Sequence, residues 1–239
     1  RNGINGAGKA TYNRVHYSNS YDNAFWSDSC FCMTYGDGSS FLTLTALDVA
    51  GHEMTHGVTS RTSNLTYRGE SGGLNESMSD IFGTMAEFYR GSTGTTIPAT
   101  GGNWTIGEQL ATPSFNRPLR YMYKPSLDGS SKDAWSSTLK RLDVHYSSGP
   151  MNRCFYFLSQ GASSSSTSNT YSPYLPGGMT GIGNTAAAKI VYRALTVYMT
   201  SSTNYAGAKT ACQKAATDLY GSASTQYAAV TNAFKAINR

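Results

Sequence analysis

The stretch Leu44-Thr-Ala-Leu47-Asp48-Val49-Ala50-Gly-His52-Glu53-Met54-Thr55-His56-Gly-Val58-Thr59 decides how this chain is read. Leu44, Leu47, Ala50, Met54 and Val58 recur at intervals of three and four, the period of one helix face, so a helix is expected from Thr43 to Thr59. Within it, His52 and His56 stand one turn apart on the same face, where both imidazoles can reach a single metal ion. Glu53 follows the first histidine by one position, so its carboxylate can reach a water on such an ion rather than the ion itself. With four histidines in 239 residues, composition alone yields roughly 0.0014 chance matches to this pattern.

A zinc site with an open position for water needs a third protein ligand. The run Gly72-Gly-Leu-Asn75-Glu76-Ser-Met-Ser-Asp80 opens a second expected helix, from about Leu74 to Tyr89, with Leu74, Met78, Ile81, Phe82 and Met85 on one side. Glu76 and Asp80 are again one turn apart, so one can bind the metal while the other supports a ligand. Asp80 and Asn75 are candidates to accept from the second ring nitrogen of a ligand histidine, which fixes its tautomer.

Outward from these two helices, the first 45 residues read as turns and short strands: Tyr12 to Tyr17, Ala24 to Trp26 and Phe31 to Tyr35. Residues 91–103 and 161–169 read as loops. Further helices are expected at Met151–Gln160, Thr185–Met199, Tyr205–Tyr220 and Gln226–Ile237. Strand-rich early and helical late, the chain is of the α+β class. It divides into residues 1–59, the end of a strand-rich lobe with the metal-binding helix, and residues 60–239, a mainly helical lobe.

Composition narrows the function classes. Charged residues are 14% and aromatics 12%, which argues against disorder. The best apolar stretch, Ile190 to Met199, is cut by Arg193, so a transmembrane span is excluded. The net charge of +5 comes from scattered bases and a shortage of acids, which excludes a nucleic-acid partner. The chain opens with Arg1 and no signal peptide, the pattern of a processed product or fragment. Cys30, Cys32, Cys154 and Cys212 suit an oxidising compartment. Pairing Cys30 with Cys32 closes a very tight ring, Cys154 with Cys212 is the easier bridge, and buried free thiols are the alternative. His16 reads as structural.

His52-Glu-x-x-His56 followed by Glu76-x-x-x-Asp80 resembles the thermolysin family of secreted neutral metalloproteases, the gluzincins. Asn23-Ala-Phe-Trp26, Tyr35-Gly-Asp-Gly38, Ser79-Asp-Ile-Phe-Gly83, Asp143-Val-His-Tyr-Ser-Ser-Gly149 and Ala216-Thr-Asp-Leu-Tyr-Gly221 also resemble family blocks, in the family's order, from about Val15 to the C-terminus. The resemblance implies a zinc endopeptidase, extracellular and monomeric, acting on peptides and proteins, with its active site in a cleft between two lobes. It makes His52, His56 and Glu76 the zinc ligands and Glu53 the base. Tyr67 and His145 become donors to the reaction's oxyanion, with Asp143 orienting His145.

By the same resemblance, Asn23 and Ala24 belong to an edge strand that pairs with an extended substrate. Arg120 binds a substrate carbonyl. Phe41, Leu44, Val49, Ile106, Leu110 and Leu119 line a pocket on the leaving-group side that suits large apolar residues. Asp48, Glu87, Glu108 and Asn103 match a calcium cluster. Asn103 and Thr105 stand where heavily calcium-loaded members carry acids, so one calcium ion is expected rather than two. A calcium site near Pro113 to Pro118 is expected to be absent, for want of an acidic ligand. Cys30-Phe-Cys32 reads as a short insertion beside the substrate strand. The family's strand-rich portion upstream of Val15 is almost wholly missing here, through nicking, omission or an unusually short form. The competing readings are an aminopeptidase, with Glu70 or Asp22 capturing a free amine, and a catalytically inactive binding module on a protease scaffold.

Overall fold

The computed structural model describes residues 2–239. Three short strands, β1 (Tyr12–Arg14), β2 (Ala24–Ser27) and β3 (Cys32–Tyr35), form a sheet in the order β1-β3-β2. Strand β1 runs parallel to β3, and β2 antiparallel to it with Ala24 opposite Tyr35 and Ser27 opposite Cys32. Among the described residues, β2 is therefore paired on one side only.

The β2–β3 hairpin carries a disulfide between Cys30 and Cys32. Phe31 between them takes a left-handed φ of 56°, and its buried ring packs edge-on against Trp26 at 5.1 Å. Cys154 and Cys212 are buried free thiols, so the bridge expected between them is corrected. Both sit within the main apolar core, where burial pushes the Cys212 thiol up to about 12 and that of Cys154 well above its ordinary value.

Helix α1 (Leu47–Ser60) starts four residues later than the apolar period suggests, because Ala46 keeps an extended backbone with ψ 150°. Helix α2 (Gly69–Tyr89) starts five residues earlier than Leu74. Its glycine-rich first turns carry no apolar signal, yet packing requires them. A Cβ on Gly72 would lie 2.4 Å from Val144 Cγ1, and one on Gly73 2.5 Å from Ser147 Oγ. Helical glycine costs about 1 kcal/mol against alanine, and here the close approach of the following segment offsets it.

That segment is α3 (Val144–Ser147), which leads into α4 (Gly149–Gln160). Between α2 and α3 lies the ribbon β4 (Thr105–Ile106) with β5 (Arg120–Tyr121). After α4, β6 (Gly161–Ala162) pairs with β7 (Met179–Thr180). The loop joining them is held from below by buried Arg153, which donates to the carbonyls of Tyr171 at 2.8 Å, Tyr123 at 3.1 Å and Asn169 at 3.4 Å. Helix α5 (Asn184–Arg193) widens into a π turn at Ala194–Tyr198. Helices α6 (Tyr205–Tyr220) and α7 (Thr225–Ala236) follow, capped by Asn204 and Ser224 side chains that accept from Gly207 and Tyr227 amides.

Two apolar clusters result. The larger joins α2, α4, α5, α6 and α7 around Leu74, Met78, Phe155, Phe157, Ile190 and Phe234. The smaller joins the sheet to α1 around Met33, Tyr35, Leu44, Val49 and Leu110. Helix α1 packs under the sheet through Gly57, where a Cβ would meet the Trp26 ring at 2.8 Å, and against α2 on its other side. No helix among the described residues is long and apolar enough to cross a membrane.

Candidate active site

The α1–α2 contact brings His52, His56 and Glu76 together. His52 Nε2 lies 3.1 Å from His56 Nε2, and each is 3.4 Å from a different oxygen of Glu76. Their ligand atoms all lie within 4.8 Å of one another, the one such group of histidine, cysteine and carboxylate residues among those described.

The outer ring nitrogens are both occupied. His52 Nδ1 meets Asp80 Oδ1 at 2.8 Å, and His56 Nδ1 meets Asn75 Oδ1 at 2.8 Å. Asn75 Nδ2 donates to the Leu65 carbonyl, which fixes the amide's orientation. A carboxylate and an amide oxygen can only accept, so Nδ1 carries the proton in both rings. Both Nε2 lone pairs then face the same small space. Glu76 Oε2 is buried there without a hydrogen-bond partner. A buried orphan acceptor beside two converging lone pairs is costly for a bare protein, and a bound cation removes the cost.

Electrostatics point the same way. Burial opposes the charged form of Glu76, yet attraction to the His52 and His56 rings at 3.4 Å holds its carboxyl well below the usual range. Burial likewise disfavours a charged His52, but Asp80 and Glu76 prevail and raise it, so without a cation a proton on Nε2 takes the place that a metal ion would fill. The site draws in positive charge. Asp80 is fully buried and pushed upward by that burial, but Arg120 and His52 bring its carboxyl below the ordinary range. Arg120 Nε and Nη2 donate to its two oxygens at 2.7 and 2.6 Å.

Above the cluster opens a cleft of about 500 Å³ lined by Glu53, Tyr67, His145, Asn23, Ala24, Phe41, Leu44, Val49, Ile106, Leu110, Leu119 and Arg120, with the three candidate ligands at its floor. All nine residues read from the sequence as substrate contacts lie on its wall. Phe25 and Trp26 line it as well and were not foreseen, and so does Asp22, read from the sequence as a captor of a free amine in the aminopeptidase alternative. The Tyr67 hydroxyl donates a short hydrogen bond to Glu76 Oε1. Half-exposed His145 directs Nε2 to 3.6 Å from Glu76 Oε2, while Asp143 accepts from its Nδ1 at 2.8 Å and its backbone N–H at 2.9 Å. Asp143 therefore stands behind the histidine, outside the cleft. It also caps α3.

The two acids considered for amine capture are engaged elsewhere. Asp22 accepts from the backbone N–H groups of Ser39, Ser40 and Phe41 and from the Ser39 hydroxyl. Glu70 accepts from Trp135 Nε1 and the Tyr205 N–H. His16 pairs with Asp37 at 2.8 Å on the surface and is not among the residues that line the cleft.

Asp48, Glu87, Asn103 and Glu108 form a separate acidic cluster. Glu87 Oε2 accepts from the Asn103 N–H at 3.0 Å, Glu108 Oε1 from Asn103 Nδ2 at 2.9 Å, and Asp48 Oδ2 from the Gly107 N–H at 2.6 Å. Burial, with repulsion from Glu108 and Asp48, pushes Glu87 up to about 6, and burial with repulsion from Glu108 raises Asp48.

Residues 1–60 match the model of the thermolysin metallopeptidase catalytic domain, and residues 63–238 that of the thermolysin metallopeptidase alpha-helical domain. The chain belongs to the thermolysin metallopeptidase family. A transglutaminase-activating metalloprotease of Streptomyces mobaraensis is 53% identical over 241 residues, covering 100% of this chain and 31% of that protein. A thermolysin of Alicyclobacillus acidocaldarius is 39% identical over 237 residues, covering 97% of this chain and 40% of that protein. The chain thus spans less than half the length of these curated relatives. Among solved structures, the precursor of protealysin, a metalloproteinase from Serratia proteamaculans, superposes with a TM-score of 0.75 at 28% identity, over 99% of this chain and 71% of that one.

A thermolysin-family member implies a catalytic zinc, and His52, His56 and Glu76 supply the two nitrogens and one oxygen that fit it. The sequence did not reveal Asn152, which completes the hydrogen bonding of Asp80, or Ser77, which donates to Asn152. Nor did it reveal the contact of Trp26 with α1.

Proposed function

We propose that this chain carries the active site of a secreted zinc endopeptidase, with His52, His56 and Glu76 as ligands. The observation that carries this reading is the convergence of two Nε2 lone pairs and an unpartnered buried carboxylate oxygen at the floor of a cleft walled by Glu53 and His145. Zinc held there polarises a peptide carbonyl and lowers the pKa of a water from 15.7 to about 7.

The chain's own groups do the rest. The Glu53 carboxylate accepts a proton from the attacking water and delivers it to the departing amine nitrogen. Oxyanion charge is met by His145 Nε2–H and by the Tyr67 hydroxyl, which turns from Glu76 towards it. Asp143, accepting from Nδ1, keeps the His145 ring oriented. Substrate backbone adds to the unpaired edge of β2 at Asn23 and Ala24, and Arg120 meets a carbonyl of the chain. Phe41, Leu44, Val49, Ile106, Leu110 and Leu119 receive a large apolar side chain on the leaving-group side.

Residues 1–59 and 60–239 serve as the two lobes of this cleft. One structural calcium ion at Asp48, Glu87, Glu108 and Asn103 relieves the repulsion that raises Glu87. The protein acts as an extracellular monomer on peptides and proteins. Incubation with casein, with and without a zinc chelator and beside Glu53→Ala, tests the reading. Chelator-sensitive cleavage restored by zinc and lost in the variant is expected. Stoichiometric zinc binding with no cleavage would refute it.

A further inference from the structure

We propose that Asn152 and Ser77 are positioning residues for the zinc ligand His52, acting through the Asp80 carboxylate. The inference rests on the zinc site proposed above and concerns residues that touch neither metal nor substrate.

Asp80 lies on α2, one turn beyond Glu76, and is fully buried. A carboxylate offers about four lone-pair positions. In Asp80 each oxygen receives two donors. Oδ1 takes His52 Nδ1 at 2.8 Å and Arg120 Nη2 at 2.6 Å, while Oδ2 takes Arg120 Nε at 2.7 Å and Asn152 Nδ2 at 2.7 Å. With every position filled, the carboxylate has one orientation available, and that orientation aims Oδ1 at His52.

Asn152 supplies the donor that comes from α4. It is 1% exposed. Its amide could in principle be turned either way. Asp80 is acceptor-only, so Nδ2 must face it, and Oδ1 then faces Ser77 Oγ at 2.6 Å. Ser77 is fully buried and adjacent in sequence to Glu76, and its hydroxyl must donate. A closed chain of donors and acceptors therefore runs from Ser77 through Asn152 and Asp80 to His52, linking α2, α4 and α1.

Without the Asn152 amide, Asp80 is held by Arg120 and His52 alone, and the carboxylate can shift together with the guanidinium. His52 Nδ1–H then loses its fixed acceptor, and Nε2 its aim. Outer partners of metal-bound histidine alter metal affinity by roughly 10–100-fold when removed. His56 is an internal contrast, since its acceptor Asn75 is tied to the Leu65 carbonyl and not to this chain.

The test is zinc affinity of the full chain, measured by competition with a chromophoric chelator, for Asn152→Leu, Ser77→Ala and the control Thr84→Val. Thr84 is fully buried on the same helix and donates to Met122 Sδ, outside the network. Asn152→Leu should weaken zinc binding by roughly 10–100-fold and Ser77→Ala by a smaller factor. Thr84→Val should lower the melting temperature and leave zinc affinity unchanged. If Asn152→Leu does not fold, Ser77→Ala decides. Zinc bound by these variants as tightly as by the unmodified chain, or weakened equally by Thr84→Val, would overturn the assignment. Failure of the unmodified chain to bind zinc would overturn both this inference and the reading beneath it.

Discussion

Gly51 and Gly83 meet where α1 crosses α2: a Cβ on Gly51 would lie 2.9 Å from Gly83 Cα, and one on Gly83 would lie 2.3 Å from the Asp48 carbonyl oxygen. Backbone meets backbone at this point. The contact sets how far the histidines of one helix stand from Glu76 and Asp80 on the other. Gly83→Ala should separate the helices and cost about 1–3 kcal/mol of stability, as overpacking typically does. Denaturant unfolding together with a zinc titration should show both lower stability and weaker metal binding. A stable variant with unaltered zinc affinity would show that the crossing has slack.

Glu53 lines the cleft but forms no part of the ligand cluster. Glu53→Gln keeps its size and removes its basicity. Peptide cleavage should fall by roughly 10²–10⁴-fold, the range for a lost general base. Zinc content, measured by metal analysis, should remain that of the unmodified chain.

His145 and Asp143 form one unit, joined at Nδ1 and at the backbone N–H. His145→Phe should lower kcat and kcat/KM together by roughly 10²–10³-fold, as loss of an oxyanion donor does. Asp143→Ala should cost less. Because Asp143 acts through the histidine, the double variant should be about as impaired as His145→Phe alone. Additive losses in steady-state kinetics would show that Asp143 has a separate role.

Removing the metal leaves Glu76 Oε2 unpartnered in a buried site. Melting temperature should drop with chelator and climb again with the logarithm of free zinc. The stabilisation is about 2.7 kcal/mol when zinc stands 100-fold above its dissociation constant. Scanning fluorimetry across a zinc series checks this, and a flat response would contradict the ligand assignment.

Asp22 gives a pH signature. The Ser39 side chain first, and then the Ser39, Ser40 and Phe41 backbone N–H groups, hold its carboxyl well below the usual carboxylate range. A depressed native value contributes stability that is fully present above the unfolded value and lost as pH falls through the native one. Unmodified protein should therefore melt above Asp22→Asn at neutral pH by a constant margin. That margin should start to shrink only below the ordinary value of 3.8. Thermal melts of both proteins down to about pH 2 measure it.

What could be read from the sequence alone follows a physical division. Helices α6 and α7 and the later turns of α2 show an apolar period, so their existence was legible. The first turns of α2 were not, because Gly72 and Gly73 are helical for the sake of Val144 and Ser147, more than 70 positions away. Within the site, His52 with His56 and Glu76 with Asp80 are visible because helical spacing gathers each pair on one face, and Asn75 because it stands beside Glu76. Asn152 and Ser77 are 75 positions apart, and only the packing of α4 on α2 joins them. The cysteines misled for a different, local reason. Local backbone at Phe31, in the left-handed region, closes the short ring that spacing made look unfavourable.

Arg153 places a cation where no chelator can reach it. Its guanidinium gathers the carbonyls of Tyr123, Asn169 and Tyr171 beneath the loop between β6 and β7, as a bound ion would, but it is part of the polypeptide. Ion depletion therefore divides this molecule into unequal parts. The cleft floor loses its organising charge, while the loop across residues 163–178 keeps its anchor. A chain starved of metal should come apart first around α1 and the short sheet, with the far side of the helical lobe the last region to yield.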